Sequence, residues 1–367
     1  MNNKLKVTGL ALALSLTFAA CSNNKDKKEN ASSTSSVETN ASTDQKVLAP
    51  TSVEKGSAEK VEMSDALLHR SYQTPHGDKS IARVVVLTSG DKIVDVSLDE
   101  MQYFDKDSDF VGLPSSDGAF GKGAAEGKIL GSKVENSDAY SKNMAEKAGS
   151  KVSLADNYKA IIDFAKGKTI SELEDVLANA NEDGTIDGVT GATLADTANY
   201  IKAIVATAKD DKMVSPVKAK DINKVSLYQK YGAPHGDQSF ADVVVAVEDG
   251  VIVAANIDEL QYFGENGIAK EGTGFTEGYA DQKNQLASKL MSNEEYSKLM
   301  AEKAGSKHSL ADNYKAIENF AVGKTTDEIQ SVIDESEKGK PVDAVSEATL
   351  VDTANYLQLI VDAVKEK

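Results

Sequence analysis

Several residue types are scarce in this chain of 367 residues, and each scarcity excludes a class of site. The single cysteine, Cys21, excludes disulfide bonds and thiolate metal clusters. Tryptophan is absent and only four histidines occur, so we expect no metal centre built from histidine. Basic residues are also fewer than acidic ones, and the resulting net charge of −17 disfavours nucleic acid and anionic lipid surfaces as partners. Apolar residues make up 40% of the chain, which supports globular folding over most of its length.

The first twenty residues have the pattern of a secretory signal. Lys4 and Lys6 precede an apolar run over residues 7–20, which is too short to span a bilayer as a mature helix. The run ends in small residues followed by Cys21, and this resembles the lipobox of bacterial lipoproteins, whose cysteine is acylated after cleavage. Phe18 departs from the aliphatic residue usual there, and the alternative is an ordinary cleaved signal with an incidental cysteine. We predict a signal peptide over residues 1–20 and lipidation of Cys21.

Residues 21–63 are rich in Ser, Asn, Thr, Lys and Glu and nearly free of large apolar side chains. Such a segment buries too little surface to offset the entropy of ordering it. We interpret it as a disordered tether between the lipid and the folded part. The expected location is therefore the extracytoplasmic face of the cell membrane, with attachment through the lipid on Cys21.

The rest of the chain is a duplication. The Pro-His-Gly-Asp sequence at residues 75–78 recurs 159 residues later, and residues 153–161 recur nearly unchanged 156 residues later. The two copies therefore differ by a three-residue indel, which falls after Phe104 and Phe263. A repeat of this length is a duplicated domain and not a solenoid unit. We predict two homologous domains, residues 64–212 and 213–367.

Each copy opens with strands and continues with helices. Residues 81–88 and 92–98 flank Gly90-Asp91, and residues 240–248 and 251–257 flank Asp249-Gly250, so each pair predicts a β-hairpin. Capping-box spacing follows at four helix starts, which are Ser153/Asp156, Thr169/Glu172, Ser292/Glu295 and Thr325/Glu328. Strands followed by segregated helices predict an α+β fold, with a hairpin or sheet packed against several helices in each copy.

Residues 187–193, Asp-Gly-Val-Thr-Gly-Ala-Thr, precede an apolar stripe from Leu194 to Lys209 and recur as Asp-Ala-Val-Ser-Glu-Ala-Thr at residues 343–349. We expect Thr193 to lie inside the helix, whose first amides would favour a phosphate group. Gly188 and Gly191 would permit close approach of a ligand. From the residues alone, an ordinary turn with a helix cap is an equal alternative.

The motif resembles the flavinylation motif of FMN-binding domains, as in the C subunit of the sodium-pumping NADH:quinone reductase and the G subunit of its Rnf relatives. The resemblance implies that a flavin transferase joins FMN, through a phosphoester, to Thr193 and to Thr349. It further implies that Asp187 and Asp343 help to bind a metal ion during transfer, with no resident metal. The cofactor-binding residues predicted in this way are Asp187, Gly188, Thr190, Gly191, Ala192, Thr193 and Leu194, and in the second copy Asp343, Ser346, Ala348, Thr349 and Leu350.

Glu347 stands where the first copy has Gly191. A left-handed backbone there would cost a glutamate roughly 1–2 kcal/mol. A right-handed backbone within the first helical turn would tolerate it. We expect the right-handed geometry, because a helix is expected to start at this point in both copies.

Two further pairs of residues are candidates for contact with the flavin. His76 and His235 could approach the ring and shift its potential, although a His-Gly-Asp sequence is more often a turn. Tyr103 and Tyr262 could stack on the ring, although core aromatics are commoner.

A lipobox, a polar tether and two such domains resemble the flavinylated lipoproteins of Gram-positive extracellular electron transfer. The resemblance implies a membrane-anchored electron carrier that takes electrons from a membrane quinone-linked donor and passes them to extracellular acceptors such as ferric iron. We predict a redox carrier rather than an enzyme with its own substrate pocket. The alternatives are a solute-binding lipoprotein of an uptake system and a structural surface lipoprotein.

Overall fold

The computed structural model describes residues 65–269 and 274–365, which belong to one compact unit. The predicted signal peptide, Cys21 and the tether lie outside these ranges. The described residues form an α+β fold with two antiparallel sheets and eight helices, which confirms the predicted fold class. None of the helices in these ranges is both long and apolar enough to cross a membrane.

Both copies of the repeat have the same order of elements. The first comprises β1 (Ala66–Gln73), β2 (Ile81–Ser89), β3 (Lys92–Asp105), β4 (Lys128–Ser132), α1 (Ser137–Ala148), α2 (Leu154–Ala165), α3 (Ile170–Ala178) and α4 (Thr197–Ala208). The second comprises β6 (Val225–Gly232), β7 (Ser239–Glu248), β8 (Val251–Tyr262), β9 (Leu286–Ser288), α5 (Asn293–Ala304), α6 (Leu310–Ala321), α7 (Thr326–Glu335) and α8 (Thr353–Lys365). Between them lies the short strand β5 (Val214–Pro216).

The sheets have the strand orders β4-β3-β2-β1-β5 and β6-β7-β8-β9. The two predicted hairpins are confirmed as β2–β3 and β7–β8. Strand β3 extends seven residues beyond its predicted end, and strand β8 extends five. The extension carries the Asp-Glu pair and the Gln-Tyr dipeptide of each copy into the sheet, and in the first copy also Phe104. The strand β5 pairs with β1 of the first copy, although it follows the predicted domain boundary.

The central strands β2 and β7 are buried on both faces. In β2, Val84 and Val86 pack in a core with the helices of the first copy, while Val85 and Leu87 pack with Val244 of the second sheet. Successive side chains of a strand point to opposite faces, so one face of each sheet meets its helices and the other meets the second sheet. The layers therefore run helices, sheet, sheet, helices.

The contact between the two sheets is nearly symmetric where tyrosines meet aspartates. Tyr72 Oη donates to Asp258 Oδ2 over 2.7 Å, and Tyr231 at the equivalent position donates to Asp99 Oδ2 over 2.9 Å. These pairs relate the copies by an approximate two-fold axis, because each tyrosine reaches the other copy's aspartate.

Charge breaks this symmetry. Arg70 and Arg83 of the first copy are buried, and Asp242 of the second copy lies 2.6 Å and 3.1 Å from them. The repeat aligns Arg83 with Asp242 and Arg70 with Gln229, so like positions have diverged into complementary ones. Pairing two first copies, or two second copies, would bring like charges together. The interface is therefore specific for one first copy and one second copy.

Three of the four predicted caps are formed. Thr169 and Thr325 form capping boxes with Glu172 and Glu328, and Ser153 accepts from the backbone N–H of Asp156. The prediction for Ser292 is wrong: its side chain makes no cap bond, because its backbone (φ −102°, ψ 24°) is outside the extended region that an N-cap requires.

Candidate functional site

The threonine motif is a loop that ends before the last helix of the first copy begins. The helix α4 starts at Thr197, so the prediction that Thr193 lies inside it is wrong. The backbone N–H of Thr193 donates a hydrogen bond to the side-chain oxygen of Asn157. Thr197 then bonds the carbonyl of Leu194 through both its N–H and its hydroxyl, which closes a turn and sets the helix start.

One apolar side chain anchors the loop in each copy. Val189 is buried in the first core and Val345 in the second. The threonines of the motif, Thr193 and Thr349, are exposed. Each loop therefore presents its last hydroxyl to solvent from a backbone that is fixed in the core.

A buried asparagine holds each of these threonines. Asn157 Oδ1 accepts from Thr193 N over 2.6 Å and from Thr193 Oγ1 over 3.4 Å. Asn313 Oδ1 accepts from Thr349 N over 2.7 Å and from Thr349 Oγ1 over 3.2 Å. Both asparagines are fully buried on the second helix of their copy. We call this arrangement the asparagine clip.

Gly191 has a left-handed backbone with φ 97°, and Glu347 at the same place has φ 72°. The expectation of a right-handed backbone is wrong, because the helix begins six residues later in each copy. Glu347 is therefore strained by roughly 1–2 kcal/mol. The strain does not displace the neighbouring threonine, whose distances to Asn313 match those of the first copy.

A cleft of about 560 Å³ opens at Thr193, within the size range of small-molecule sites. It lies between α1, the loop before α4 and the start of α4. The predicted residues Thr193, Leu194 and His76 all line it. The full lining is His76, Lys133, Tyr140, Met144, Ala148, Gly149, Ser150, Lys151, Leu154, Thr193, Leu194, Ala195, Asp196 and Tyr200.

The same lining residues occur in the second copy. Thirteen of the fourteen are identical there, and the exception is Ala195, which is replaced by Val351. In contrast, the seven-residue motif differs at three positions. The side chains that surround the threonine have thus been retained more strictly than the loop that carries it.

A buried charge cluster contributes Lys133 and Tyr200 to the wall of the cleft in the first copy. Glu100 Oε2 accepts from Lys133 Nζ over 2.5 Å and from the hydroxyls of Tyr158 and Tyr200, each over 2.8 Å. Burial is the largest single influence and raises the pKa of Glu100, but the charge of Lys133 and the hydrogen bonds from Lys133, Tyr158 and Tyr200 together outweigh it, so the pKa lies below its usual value. Glu100 and Lys133 therefore both stay ionised, and their opposite charges cancel.

The second copy repeats this cluster. Glu259 Oε2 accepts from Lys289 Nζ over 2.9 Å and from the hydroxyls of Tyr314 and Tyr356 over 2.9 Å and 2.7 Å. Burial is the largest single influence and raises the pKa of Glu259, but the charges of Lys289 and His235 and the hydrogen bonds from Ser239 and Lys289 together outweigh it and hold the pKa at about 2.

The two predicted histidines each pair with an aspartate beside the threonine. His76 Nδ1 lies 2.5 Å from Asp196 Oδ2, and His235 Nδ1 lies 2.7 Å from Asp352 Oδ2. Each aspartate follows the motif threonine by three residues. The histidine ring is thereby fixed at the edge of the cleft.

The structure places the predicted tyrosines at the contact between the copies. The hydroxyls of Tyr103 and Tyr262 lie 2.7 Å apart, and both side chains are buried. Tyr103 also lines a second cavity of about 550 Å³, which shares His76, Tyr140 and Met144 with the cleft. Tyr103 is thus near the cleft but not in its wall.

The remaining predicted residues divide between surface and core. Asp187 accepts a hydrogen bond from Asn181 over 2.9 Å, and Asp343 is exposed. Within residues 65–269 and 274–365, no three His, Cys, Asp or Glu are grouped to hold a metal ion. The exposed positions are Gly188, Thr190 and Ser346, while Ala192, Ala348 and Leu350 pack against the cores.

The residues of the candidate site that were not predicted from the sequence are Asn157, Asn313 and the lysine–glutamate pairs. The sequence does carry a signal for these residues, because each of them recurs in the second copy at the offset of the duplication.

No protein-family model, curated protein or solved structure matches the chain. A functional assignment therefore depends on the residues and the geometry of the site itself.

Proposed function

We propose that this protein is a membrane-anchored extracytoplasmic electron carrier that holds FMN through phosphoesters at Thr193 and Thr349. One observation carries the proposal: an exposed threonine hydroxyl, fixed from a buried side chain, stands at a cleft whose lining is retained in both copies. A loop that served only as a helix cap would require neither the cleft nor the clip.

The side chains of the cleft suit a flavin. Met144, Leu154 and Leu194 offer apolar contact for a planar ring system, as small-ligand pockets usually do. Lys151 is exposed and offers positive charge for ring carbonyls or a phosphate, while the charge of Lys133 is already paired with Glu100. FMN, once attached, would supply the acceptance of one or two electrons, while the chain orients it and sets its electrostatic surroundings.

The same proposal includes the location and the partners. Cys21 carries the lipid, a flavin transferase loads the threonines, a membrane quinone-linked donor supplies electrons and extracellular acceptors such as ferric iron receive them. The two sites belong to one compact unit, and we propose that electrons pass between them. Each copy has its own cleft residues, and aromatic side chains fill the contact between the copies. This arrangement supports two carrier sites more than one solute site shared between lobes.

Intact-protein mass spectrometry tests the proposal. The protein should be produced together with a flavin transferase, as wild type and as Thr193→Val, Thr349→Val and the double variant. We expect two FMN additions in the wild type, one in each single variant and none in the double variant. A wild-type protein without added FMN would refute the proposal, and so would a double variant that retains it.

A further inference from the structure

The asparagine clip is the most constrained contact of the motif. Asn157 and Asn313 are fully buried, and Nδ2 of each donates to the helix-start carbonyl, Ser153 O or Ser309 O, over 2.8 Å. This bond fixes which way the amide faces, and Oδ1 is left for the threonine. An immobile acceptor thus meets an exposed hydroxyl.

The clip does not depend on the glycines of the motif. The second copy has Ala344 and Glu347 in place of Gly188 and Gly191, yet the distance from threonine N to asparagine Oδ1 changes only from 2.6 Å to 2.7 Å. The position of the hydroxyl is therefore set by the asparagine and not by the flexibility of the loop.

The clip also does more than anchor a backbone. One hydrogen bond to the threonine N–H would hold the loop, but the same Oδ1 accepts from the hydroxyl as well. When the hydroxyl proton is directed into the protein, the lone pairs of Oγ1 are left on the solvent side. That orientation suits an oxygen that attacks a phosphorus atom from outside.

We propose that Asn157 and Asn313 are positioning residues that present the threonine oxygen for phosphoester formation, an inference that depends on the proposed function. In this step the Oγ1–P bond forms and the pyrophosphate bond of a flavin dinucleotide donor breaks. The nucleoside monophosphate leaves with the electron pair. As the Oγ1–P bond forms, the hydroxyl proton leaves its hydrogen bond to the asparagine Oδ1 and passes to a base of the transferase. The asparagine neither gains nor loses a proton.

The two sites of one molecule provide the control. Purified apoprotein is incubated with a flavin transferase, a flavin dinucleotide and Mg²⁺, and FMN addition at each threonine is followed by peptide mass spectrometry. Asn157→Ala should slow loading of Thr193 by at least tenfold and leave Thr349 unchanged, while Asn313→Ala should do the reverse. Normal loading at the unaltered site reports a folded protein. Asn179→Ala, an exposed asparagine at the end of α3, should change neither rate.

The kinetic parameters separate positioning from simple anchoring. A misdirected hydroxyl lowers kcat of the transferase and leaves its KM for the protein unchanged, whereas a disordered loop raises KM. Unchanged loading of Thr193 in Asn157→Ala would overturn the inference, and so would a rise in KM alone. A wild-type protein that takes up no FMN would instead refute the proposed function.

Discussion

Replacement of Lys289 by methionine should leave Glu259 as an uncompensated buried charge. Lys289 Nζ lies 2.9 Å from Glu259 Oε2, and both side chains are 1% exposed. Loss of one partner of a buried ion pair costs about 3–5 kcal/mol of unfolding free energy. Tyr314 and Tyr356 still donate to the same oxygen, so we expect a loss near the lower limit, about 3 kcal/mol.

The pH dependence of stability should change sign in this variant. In the wild type the pKa of Glu259 is about 2, below its usual 4.5, so its contribution to stability is present above pH 4.5 and is lost as the pH falls towards 2. Without Lys289, burial should raise the pKa of Glu259 above 4.5. The stability of Lys289→Met relative to wild type should therefore increase as the pH falls from 7 to 5.

Urea unfolding at pH 7, 6 and 5 measures both effects. Lys159→Met removes an exposed ion pair with Asp163 and is the control, with an expected loss of about 0.5 kcal/mol or less. The double variant Lys289→Met/Glu259→Gln should recover at least half of the lost stability, because no buried charge remains. A loss below about 1 kcal/mol in Lys289→Met, or a loss independent of pH, would refute the reasoning.

Three further predictions concern backbone strain, a lone carboxylate and the contact between the copies. Gly191→Ala should lower the unfolding free energy by about 1 kcal/mol, because alanine is strained in the left-handed backbone. Glu347→Gly should raise the unfolding free energy by less than that, since glycine also increases the entropy of the unfolded chain. Denaturant titration measures both changes, and no effect of Gly191→Ala would contradict the left-handed geometry. Burial raises the pKa of Glu318 to about 7, so its stabilising neutral form is fully present below pH 4.5 and is lost as the pH rises through 7. Glu318→Gln should thus gain at most about 3 kcal/mol over wild type at pH 8 and nothing at pH 4.5, and a gain independent of pH would exclude this cause. Asp242→Ala should lower the unfolding free energy by about 3–5 kcal/mol, because Arg70 and Arg83 lose the carboxylate that pairs with them. Calorimetry should still show a single unfolding transition for both copies, and a separate second transition would contradict the shared core.

The hairpins were predictable because their signals are local. A tight-turn dipeptide between β-branched runs selects the pairing of β2 with β3 without reference to the rest of the chain. The start of α4 was not, because a side chain 36 residues earlier, Asn157, holds the backbone N–H of Thr193. The apolar spacing that begins at Leu194 indicates which side chains are buried but not where the helix begins. Leu194 is half-buried in the loop, as it would be in a helix.

The buried charges of the site were hidden for a related reason. Glu100 and Lys133 are 33 residues apart, and each would be read alone as a surface residue. The same holds for Arg70 and Asp242 at the contact between the copies. Because the sheets are covered on both faces, the strands lack the alternation that would have identified which charges point inward.

The unequal divergence of the two copies bears on whether Thr349 is used. His235 is retained beside Thr349 although the loop carries a strained Glu347, whereas Lys289 and Tyr356 also stabilise the second copy through the buried Glu259 cluster. The loop change is tolerated because Asn313 still places the hydroxyl. This retention of His235 supports the proposal that Thr349 is a second site of attachment. The interface charges, by contrast, diverged into complementary partners, which fixes the two sites in one unit. The spacing between two attached cofactors would then be set by the fold, independent of the tether.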